Sequence, residues 1–243
     1  MSYDQPMAAR YDRGRSLQTA DVERWMDAAR PYLPDAGGRI LDLGAGTGRF
    51  STALACATGA TVVACEPSTA MRAAFPAGAA FVVGGTAEAA PFRDNAFDAV
   101  WASQVVHHVA DLAAFAATVR RVLRPGGHLL IRGGFGPVQR LPLYRWFPSA
   151  WAANSAVRLS LDRIAAALAA AGVIPVARIP VSQVFATTTS ELEERVVTRS
   201  LSNLATLPDE DFHAGLAALR RDVAAGRIEQ PLVDHLDLVV FAA

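Results

Sequence analysis

Three glycines at alternate positions, Gly44, Gly46 and Gly48, connect an apolar segment to helix-forming sequence in the stretch RILDLGAGTGRF. Glycine has no Cβ, so such a loop can adopt left-handed dihedral angles and bring its backbone close to a ligand. Glu66 lies at the end of a second apolar segment, TVVACEP. A carboxylate about twenty residues after the first glycine can accept hydrogen bonds from both hydroxyls of a ribose. The pattern predicts a ligand that contains a nucleoside.

The spacing of the glycines distinguishes between two such ligands. The dinucleotide fingerprint G-x-G-x-x-G requires its third glycine where this sequence has Arg49. Asp42 precedes the loop by two residues. Its charge would lie close to the anionic pyrophosphate of a dinucleotide, whereas it would attract the ammonium group of S-adenosylmethionine. The local sequence therefore favours S-adenosylmethionine over NAD.

Apolar, strand-like segments alternate with helix-forming segments along the chain, which favours a parallel sheet covered on both faces. We predict an α/β, Rossmann-like, doubly wound and mostly parallel seven-stranded sheet with helices on both faces and a helical cover. The predicted strands span residues 39–44, 61–67, 79–85, 96–103, 127–134, 175–186 and 235–242. In such sheets ligands lie outside the carboxyl ends of the strands, where the strand order reverses. Residues that end strands are therefore the candidates for a binding site.

The composition restricts the classes of partner. The chain has 243 residues, 52% of them apolar, with 23 Lys and Arg against 23 Asp and Glu. A neutral chain has no net field to attract nucleic acid or an anionic membrane, so we expect neither partner. The polar N-terminus lacks the apolar core of a secretory signal, which predicts a cytoplasmic protein. The two cysteines stand in no Cys/His cluster, so we expect no metal.

Four motifs in order, LDLGAGTG, ACEPS, GGTAEAAPFRDNAFDAV and LRPGGHLLI, resemble the motif series of class I S-adenosylmethionine-dependent methyltransferases. The similarity is greatest to the small-molecule, ubiquinone-synthesis-like (type 11) branch, and it spans residues 39–133. The resemblance implies one class I methyltransferase domain over residues 1–243. Within it, residues 1–36 would form an N-terminal cover helix region, residues 37–135 the cofactor-binding core, and residues 136–243 an insert and C-terminal half on the substrate side.

The resemblance also implies how S-adenosylmethionine and its product, S-adenosylhomocysteine, would be held. Asp42 would anchor the ammonium group, and Glu66 would bind the ribose hydroxyls. The helix that begins near Arg49 would direct its positive end toward the methionine carboxylate. Thr86 stands where many relatives carry an aspartate that contacts the adenine amino group. The implied cofactor-binding residues are Tyr11, Asp42, Gly44, Ala45, Gly46, Glu66, Met71, Thr86, Ala87, Glu88 and Ser103.

Methyl transfer from a sulfonium is an in-line displacement, so alignment and exclusion of water can supply much of the acceleration. A base assists where the acceptor must lose a proton, and histidine suits that task near neutral pH. His107 and His108 follow the fourth predicted strand. We interpret one of them as a candidate catalytic base, with simple packing at the strand–helix junction as the alternative.

Two segments are candidates for the acceptor site. The N-terminal stretch around Tyr11 resembles a helix that closes over the cofactor, and the stretch LPLYRWFPSAW supplies Tyr144, Trp146 and Trp151 as candidate substrate residues. Aromatic side chains at that density suit a wall for a planar or apolar molecule. An ordinary helical cover, with its aromatic side chains packed inward, is the alternative.

The expected function is methyl transfer from S-adenosylmethionine to a small-molecule acceptor of an aromatic or secondary-metabolite-like kind. Two alternatives stay open: a protein of the same fold that binds this cofactor without methylating, and a nicotinamide-dependent oxidoreductase. For an oxidoreductase of this kind, the sequence lacks both the dinucleotide fingerprint and a Tyr/Lys donor pair. An RNA or protein methyltransferase should carry a basic face or an added recognition domain, and a neutral chain shows neither. No motif indicates the oligomeric state.

Overall fold

The computed structural model describes residues 17–76, 78, 80–151, 160–199 and 201–243. The strands in these ranges are β1 (Arg39–Leu43), β2 (Thr61–Cys65), β3 (Phe81–Val83), β4 (Phe97–Ser103), β5 (Leu123–Gly133), β6 (Ile174–Ala186) and β7 (Leu232–Ala242). Within the described chain they form one seven-stranded sheet in the order β3-β2-β1-β4-β5-β7-β6. Strands β1 to β5 pair in parallel, whereas β7 runs antiparallel between β5 and β6. The predicted mostly parallel, seven-stranded α/β sheet is confirmed.

Helices join the strands and cover both faces of the sheet. They are α1 (Thr19–Ala29), α2 (Arg49–Thr58), α3 (Thr69–Ala73), α4 (Leu112–Val122), α5 (Leu161–Ala170), α6 (Thr189–Val197), α7 (Ser202–Ala205) and α8 (Asp209–Ala224). Side-chain oxygens of Ser68, Asp111, Ser160 and Thr188 accept hydrogen bonds from backbone N–H groups in the first turns of α3, α4, α5 and α6. Each such cap stabilises its helix start by about 1 kcal/mol. A membrane-crossing helix, which needs a long apolar run, does not occur in the described ranges.

The sheet is buried on both faces because it lies between two helical layers. Alternate residues of β4 point to opposite sides, as the two-residue period of a strand requires. Val100 and Ala102 pack in the cluster that includes α4 and α5, whereas Ala99 and Trp101 pack with α1 and α2. All four residues are fully buried. Burial on both sides explains why β4 reads as an almost continuous apolar run rather than as an alternating one.

A third apolar cluster lies between the segment after β5 and helices α6 to α8. Leu143, Trp146 and Phe147 come from that segment and are buried. The ring of Phe147 stacks on Phe212 of α8, with 6.0 Å between the ring centroids. A side chain on Gly215 would overlap with Phe147. The C-terminal helices therefore pack closely on the aromatic insert, with no room for a larger residue at Gly215.

Two strands begin several residues earlier than the sequence predicts, and β3 is shorter than predicted, at Phe81–Val83 instead of 79–85. Strand β5 begins at Leu123 rather than at residue 127, because Leu123 pairs with Phe97 before a shift in register. Strand β7 begins at Leu232 rather than at residue 235, because its first residues pair with the far end of β6. The longer β7 brings one additional polar side chain, that of Asp234, to the edge of the sheet where β1 and β4 end.

Candidate functional site

A cavity of about 260 Å³ opens where the carboxyl ends of β1, β4 and β5 meet. The strand order reverses between β1 and β4, which is the position where open α/β sheets bind ligands. Residues of β6, β7, α6 and the segment after β5 close the rest of the wall. Of the predicted site residues, the following line this cavity: Asp42, Gly44, Ala45, Gly46, Ser103, His107 and Tyr144.

The glycine loop between β1 and α2 forms one wall. Gly44, Gly46 and Gly48 have φ angles of 70°, 59° and 84°, in the left-handed region that favours glycine. A Cβ on Gly44 would overlap with Val105, and one on Gly48 would overlap with the ring of Phe75. A Cβ on Gly46 would meet no atom within 4 Å. The backbone at Gly46 therefore faces open space in the cleft, whereas the other two glycines are also required by packing.

The loop leads directly into the amino end of α2. Gly48 is the N-cap residue, and it has no side chain with which to cap the first backbone N–H groups of the helix. Arg49 and Phe50, the first two residues of α2, line the cavity. The positive end of the helix dipole is thereby directed at the same cleft, where an anionic group is favourable.

Glu66 follows β2 and lies beside the glycine loop. One carboxylate oxygen accepts a hydrogen bond from the N–H of Gly46 at 2.9 Å, and the other accepts one from the N–H of Ser68 at 2.8 Å. The side chain is buried. A carboxylate has about four acceptor positions, so two remain for further donors. Glu66 therefore joins the loop to the start of α3 and can still bind a diol.

Asp42 is a buried carboxyl group at the end of β1. The hydroxyl of Ser51 donates a hydrogen bond to it at 2.6 Å. Burial raises the pKa of Asp42 to about 7, the Ser51 hydrogen bond acts in the opposite direction, and the charge of Glu66 raises it further. Because a nearby cation would favour the ionised form, this group is suited to receive an ammonium group.

The two candidate histidines, which are adjacent in the turn after β4, have different environments. His107 lines the cavity, whereas His108 is exposed. Their rings lie 4.0 Å apart between centroids. Gln104, which also lines the cavity, has a φ of 57°, and its N–H donates to the Arg132 carbonyl at 2.9 Å. A non-glycine residue in this conformation is typical of functional sites.

The residues predicted around the adenine lie along α3 and the segment after β3. Met71 is buried in α3, and Ala87 is buried after β3. Thr86 is exposed. The Glu88 carboxylate accepts a hydrogen bond from the N–H of Ala110 at 2.9 Å, so it holds the turn that carries the histidines. None of these four predicted residues lines the cavity described above.

The aromatic insert presents one of its three predicted residues to the cavity. Tyr144 lines it, and Trp151 packs edge-on against Tyr144 with 5.1 Å between centroids. Trp146 is buried in the third apolar cluster, and its indole N–H donates to Asp222 at 2.8 Å. Trp146 therefore packs inward, whereas Tyr144 faces the cavity. The predicted Tyr11 lies outside the described residues.

A group of charged and polar residues on the far strands was not predicted from the sequence. The polar cluster consists of Arg132 on β5, Gln183 on β6, Arg195 on α6 and Asp234 on β7, and all four line the cavity. Arg132 is buried, lies 4.6 Å from the centroid of Trp25, and donates to the Ser103 hydroxyl at 3.1 Å. A charged residue inside an apolar strand such as HLLIRGG is rarely buried without a partner. That signal was present in the sequence.

Residues 41–131 match the family model described as Methyltransferase domain. An uncharacterized methyltransferase of Mycobacterium tuberculosis (strain ATCC 25618 / H37Rv) is 44% identical over 123 residues, which are 49% of this chain and 46% of that protein. The demethylmenaquinone methyltransferase of Mycobacterium marinum is 36% identical over 137 residues, 56% of this chain and 59% of the relative. The chain thus spans about half the length of the curated relatives it matches.

A solved structure from Anabaena variabilis, assigned as a methyltransferase of an antibiotic biosynthesis pathway, covers 93% of this chain and 100% of its own. Its TM-score is 0.76 at 24% sequence identity, a likeness that concerns the fold. Residues 41–131 thus match a methyltransferase-domain family model, as the motif series predicts, and the described chain shares the fold of the solved structure.

Proposed function

We propose that this protein transfers the methyl group of S-adenosylmethionine to a small-molecule acceptor. The observation that carries the proposal is the arrangement of Glu66 and Gly46, in which a buried carboxylate lies beside the open backbone that lines the cavity at the switch point of the sheet. The family of residues 41–131 supports the same conclusion. Because the relatives named above are methyltransferases, the methylating function is favoured over binding without transfer.

Three polar groups in or beside the cleft fit the cofactor. Glu66 retains acceptor positions for two ribose hydroxyls after its bonds to Gly46 and Ser68. The uncapped amino end of α2 fits the methionine carboxylate. Asp42 fits the ammonium group, since the cation offsets the cost of ionising a buried carboxyl group. A dinucleotide would instead bring its pyrophosphate toward two carboxylates.

When bound, the cofactor supplies an electrophilic methyl group on a positively charged sulfur. The residues of this chain then align the acceptor and exclude water from the cavity. His107 faces the cavity and can accept a proton from an acceptor, which His108 on the exposed side cannot do directly. Of the two candidate histidines, only His107 is therefore placed to contact an acceptor.

The acceptor in this proposal is aromatic or secondary-metabolite-like. Apolar side chains such as Leu141, Leu143 and Phe185 line the cavity with Tyr144, and such walls suit a planar or apolar molecule. The relative from Mycobacterium marinum is named for demethylmenaquinone, a quinone. On this basis residues 37–135 hold the donor and residues 136–243 contribute most of the acceptor wall.

A thermal-shift comparison tests the proposal. A ligand at about 100 times its Kd stabilises the native state by about 2.7 kcal/mol, which for a chain of this size raises the melting temperature by about 5 to 10 °C. We expect that shift with S-adenosylhomocysteine and none with NADH at the same concentration. A shift with NADH alone would overturn the proposal. S-adenosylhomocysteine binding without transfer to phenolic or quinol acceptors would instead support the non-methylating alternative.

A further inference from the structure

The polar cluster lines the cavity but has no role in the contacts proposed for the cofactor. Asp234 lies on β7 directly across from Gln183 of β6. Side chains of such cross-strand partners lie on the same face of the sheet and close together. Gln183 in turn accepts a hydrogen bond from the guanidinium group of Arg132. The cluster therefore joins three adjacent strands at one wall of the cavity.

Asp234 differs from the other charged members in that its carboxylate is not engaged. Across the described ranges, no hydrogen bond or ion pair involves this carboxylate. Arg132 donates to Ser103 at 3.1 Å and to Gln183, and Arg195 is paired with Glu191 at 2.7 Å. Both arginines thus act on Asp234 through space rather than through a direct contact. Its oxygens remain available to a molecule in the cavity.

The charges around Asp234 indicate what kind of group it would receive. The charged groups that face it are Arg132 from β5 and Arg195 from α6. Asp42 and His107 line the same cavity from the other strands. Two neighbouring guanidinium groups oppose the approach of a cationic acceptor. A neutral hydroxyl, which donates a hydrogen bond and becomes more acidic in a positive field, fits this wall.

We propose that Asp234 accepts a hydrogen bond from a phenolic or enolic hydroxyl of the methyl acceptor and takes its proton during transfer. The inference rests on the proposed function. In the step, a lone pair of the acceptor oxygen forms the bond to the methyl carbon, and the electrons of the broken carbon–sulfur bond stay on sulfur. The hydroxyl proton passes to an Oδ atom of Asp234 and is later released to solvent.

The environment of Asp234 suits a base that works near neutral pH. Burial raises the pKa of Asp234 to about 7, and the charges of Arg132 and Arg195 partly oppose that rise. A base is most effective when its pKa lies near the working pH, because it is then ionised and still takes a proton readily. An ordinary surface aspartate, at a pKa of about 4, would be a much weaker base.

A matched pair of ligands tests the recognition of the hydroxyl without requiring turnover. We expect the wild-type complex with S-adenosylhomocysteine to bind 4-methylphenol, whose hydroxyl stays protonated at neutral pH, about tenfold more tightly than toluene, which lacks the hydroxyl. Asp234→Ala should lose this preference, and the shape-preserving Asp234→Asn should reduce it. Asp27→Ala, at an exposed position of α1, is the control and should retain it. Full preference in both Asp234 variants, or none in the wild type, would overturn the inference.

Methyl transfer to 4-methylphenol tests the removal of the proton, because this phenol is not ionised in solution near neutral pH. The product, 4-methylanisole, is separated from the phenol by chromatography and quantified. Asp234→Asn should lower kcat/KM by about 100-fold, with the affinity for S-adenosylhomocysteine unchanged. His107→Gln should keep the decline of activity below about pH 7 that we assign to Asp234. The opposite result, in which His107→Gln removes that decline and Asp234→Asn keeps it, would assign the base to the histidine.

The two proposals fail in different ways. If the wild-type protein does not bind S-adenosylhomocysteine, the proposed function is wrong. If it binds the cofactor product but does not distinguish 4-methylphenol from toluene, the proposed function stands and the role of Asp234 is wrong.

Discussion

Replacing Glu66 by alanine is expected to weaken the binding of S-adenosylhomocysteine by about 100-fold. The carboxylate accepts hydrogen bonds from Gly46 at 2.9 Å and Ser68 at 2.8 Å, so it fixes the glycine loop before any ligand arrives. We assign its remaining acceptor positions to the two ribose hydroxyls. A hydrogen bond to a charged group contributes about 1.5 to 3 kcal/mol. Two such bonds at the lower value amount to about 3 kcal/mol, or roughly 150-fold in Kd.

Isothermal titration with S-adenosylhomocysteine at neutral pH measures this loss. Glu66→Gln keeps one side-chain acceptor and the shape of the residue, so its affinity should fall between those of the wild type and Glu66→Ala. Glu23→Ala, at an exposed position of α1, should bind like the wild type. If Glu66→Ala bound within about threefold of the wild type, the ribose would not lie at this carboxylate and the assigned orientation of the cofactor would be wrong.

Three further predictions concern the loop and two carboxyl groups. Gly46→Ala should lower the melting temperature by only a few degrees, because an alanine at its φ of 59° costs about 1 kcal/mol and meets no neighbouring atom. It should nevertheless abolish binding in titrations with S-adenosylhomocysteine. In Gly48→Ala the new Cβ also overlaps with an aromatic ring, so this variant should melt at a clearly lower temperature. Burial raises the pKa of Asp42 to about 7, so the folded state binds more protons than the unfolded state between about pH 4 and 7 and loses stability as pH rises through that range. Asp42→Asn should therefore raise the melting temperature relative to the wild type at about pH 8 more than at about pH 4, and an equal effect at both would contradict the assignment. Hydrogen bonds from Trp146 and two arginines lower the pKa of Asp222 to about 2. The stabilising effect of this carboxylate is therefore present above about pH 4 and is lost as pH falls toward 2. Circular dichroism melts of Asp222→Asn should differ from those of the wild type at neutral pH and converge with them in acid.

The donor side of the site could be predicted because its parts are local in sequence. The glycine loop and Glu66 each follow a strand directly, and the pairing of Leu43 with Cys65 in parallel register brings the two strand ends together. Any parallel pairing of these two strands would place the loop beside the carboxylate. The hydrogen bond between Gly46 and Glu66 is the result.

The direction of individual side chains was less predictable. Whether His107 or His108 faces the cavity depends on the short 3-10 turn at Val106–His108, for which the sequence shows no period. Trp146 turns inward because its indole N–H reaches Asp222, a residue 76 positions away on α8. A contact of that range has no local signature. Aromatic density alone therefore identified the insert but not which of its rings faces the site.

The polar cluster was missed for a reason that lies in the topology. The rule that ligands lie at the carboxyl ends of strands holds for parallel strands. Strand β7 is antiparallel, so its amino end lies beside the carboxyl end of β5, with Asp237 paired to Gly133. Asp234 precedes that pair and so extends past the end of β5 into the cavity wall. In a sheet of this order, candidate acceptor residues should be sought where an antiparallel strand begins, because that is the end it shares with the parallel strands that hold the donor.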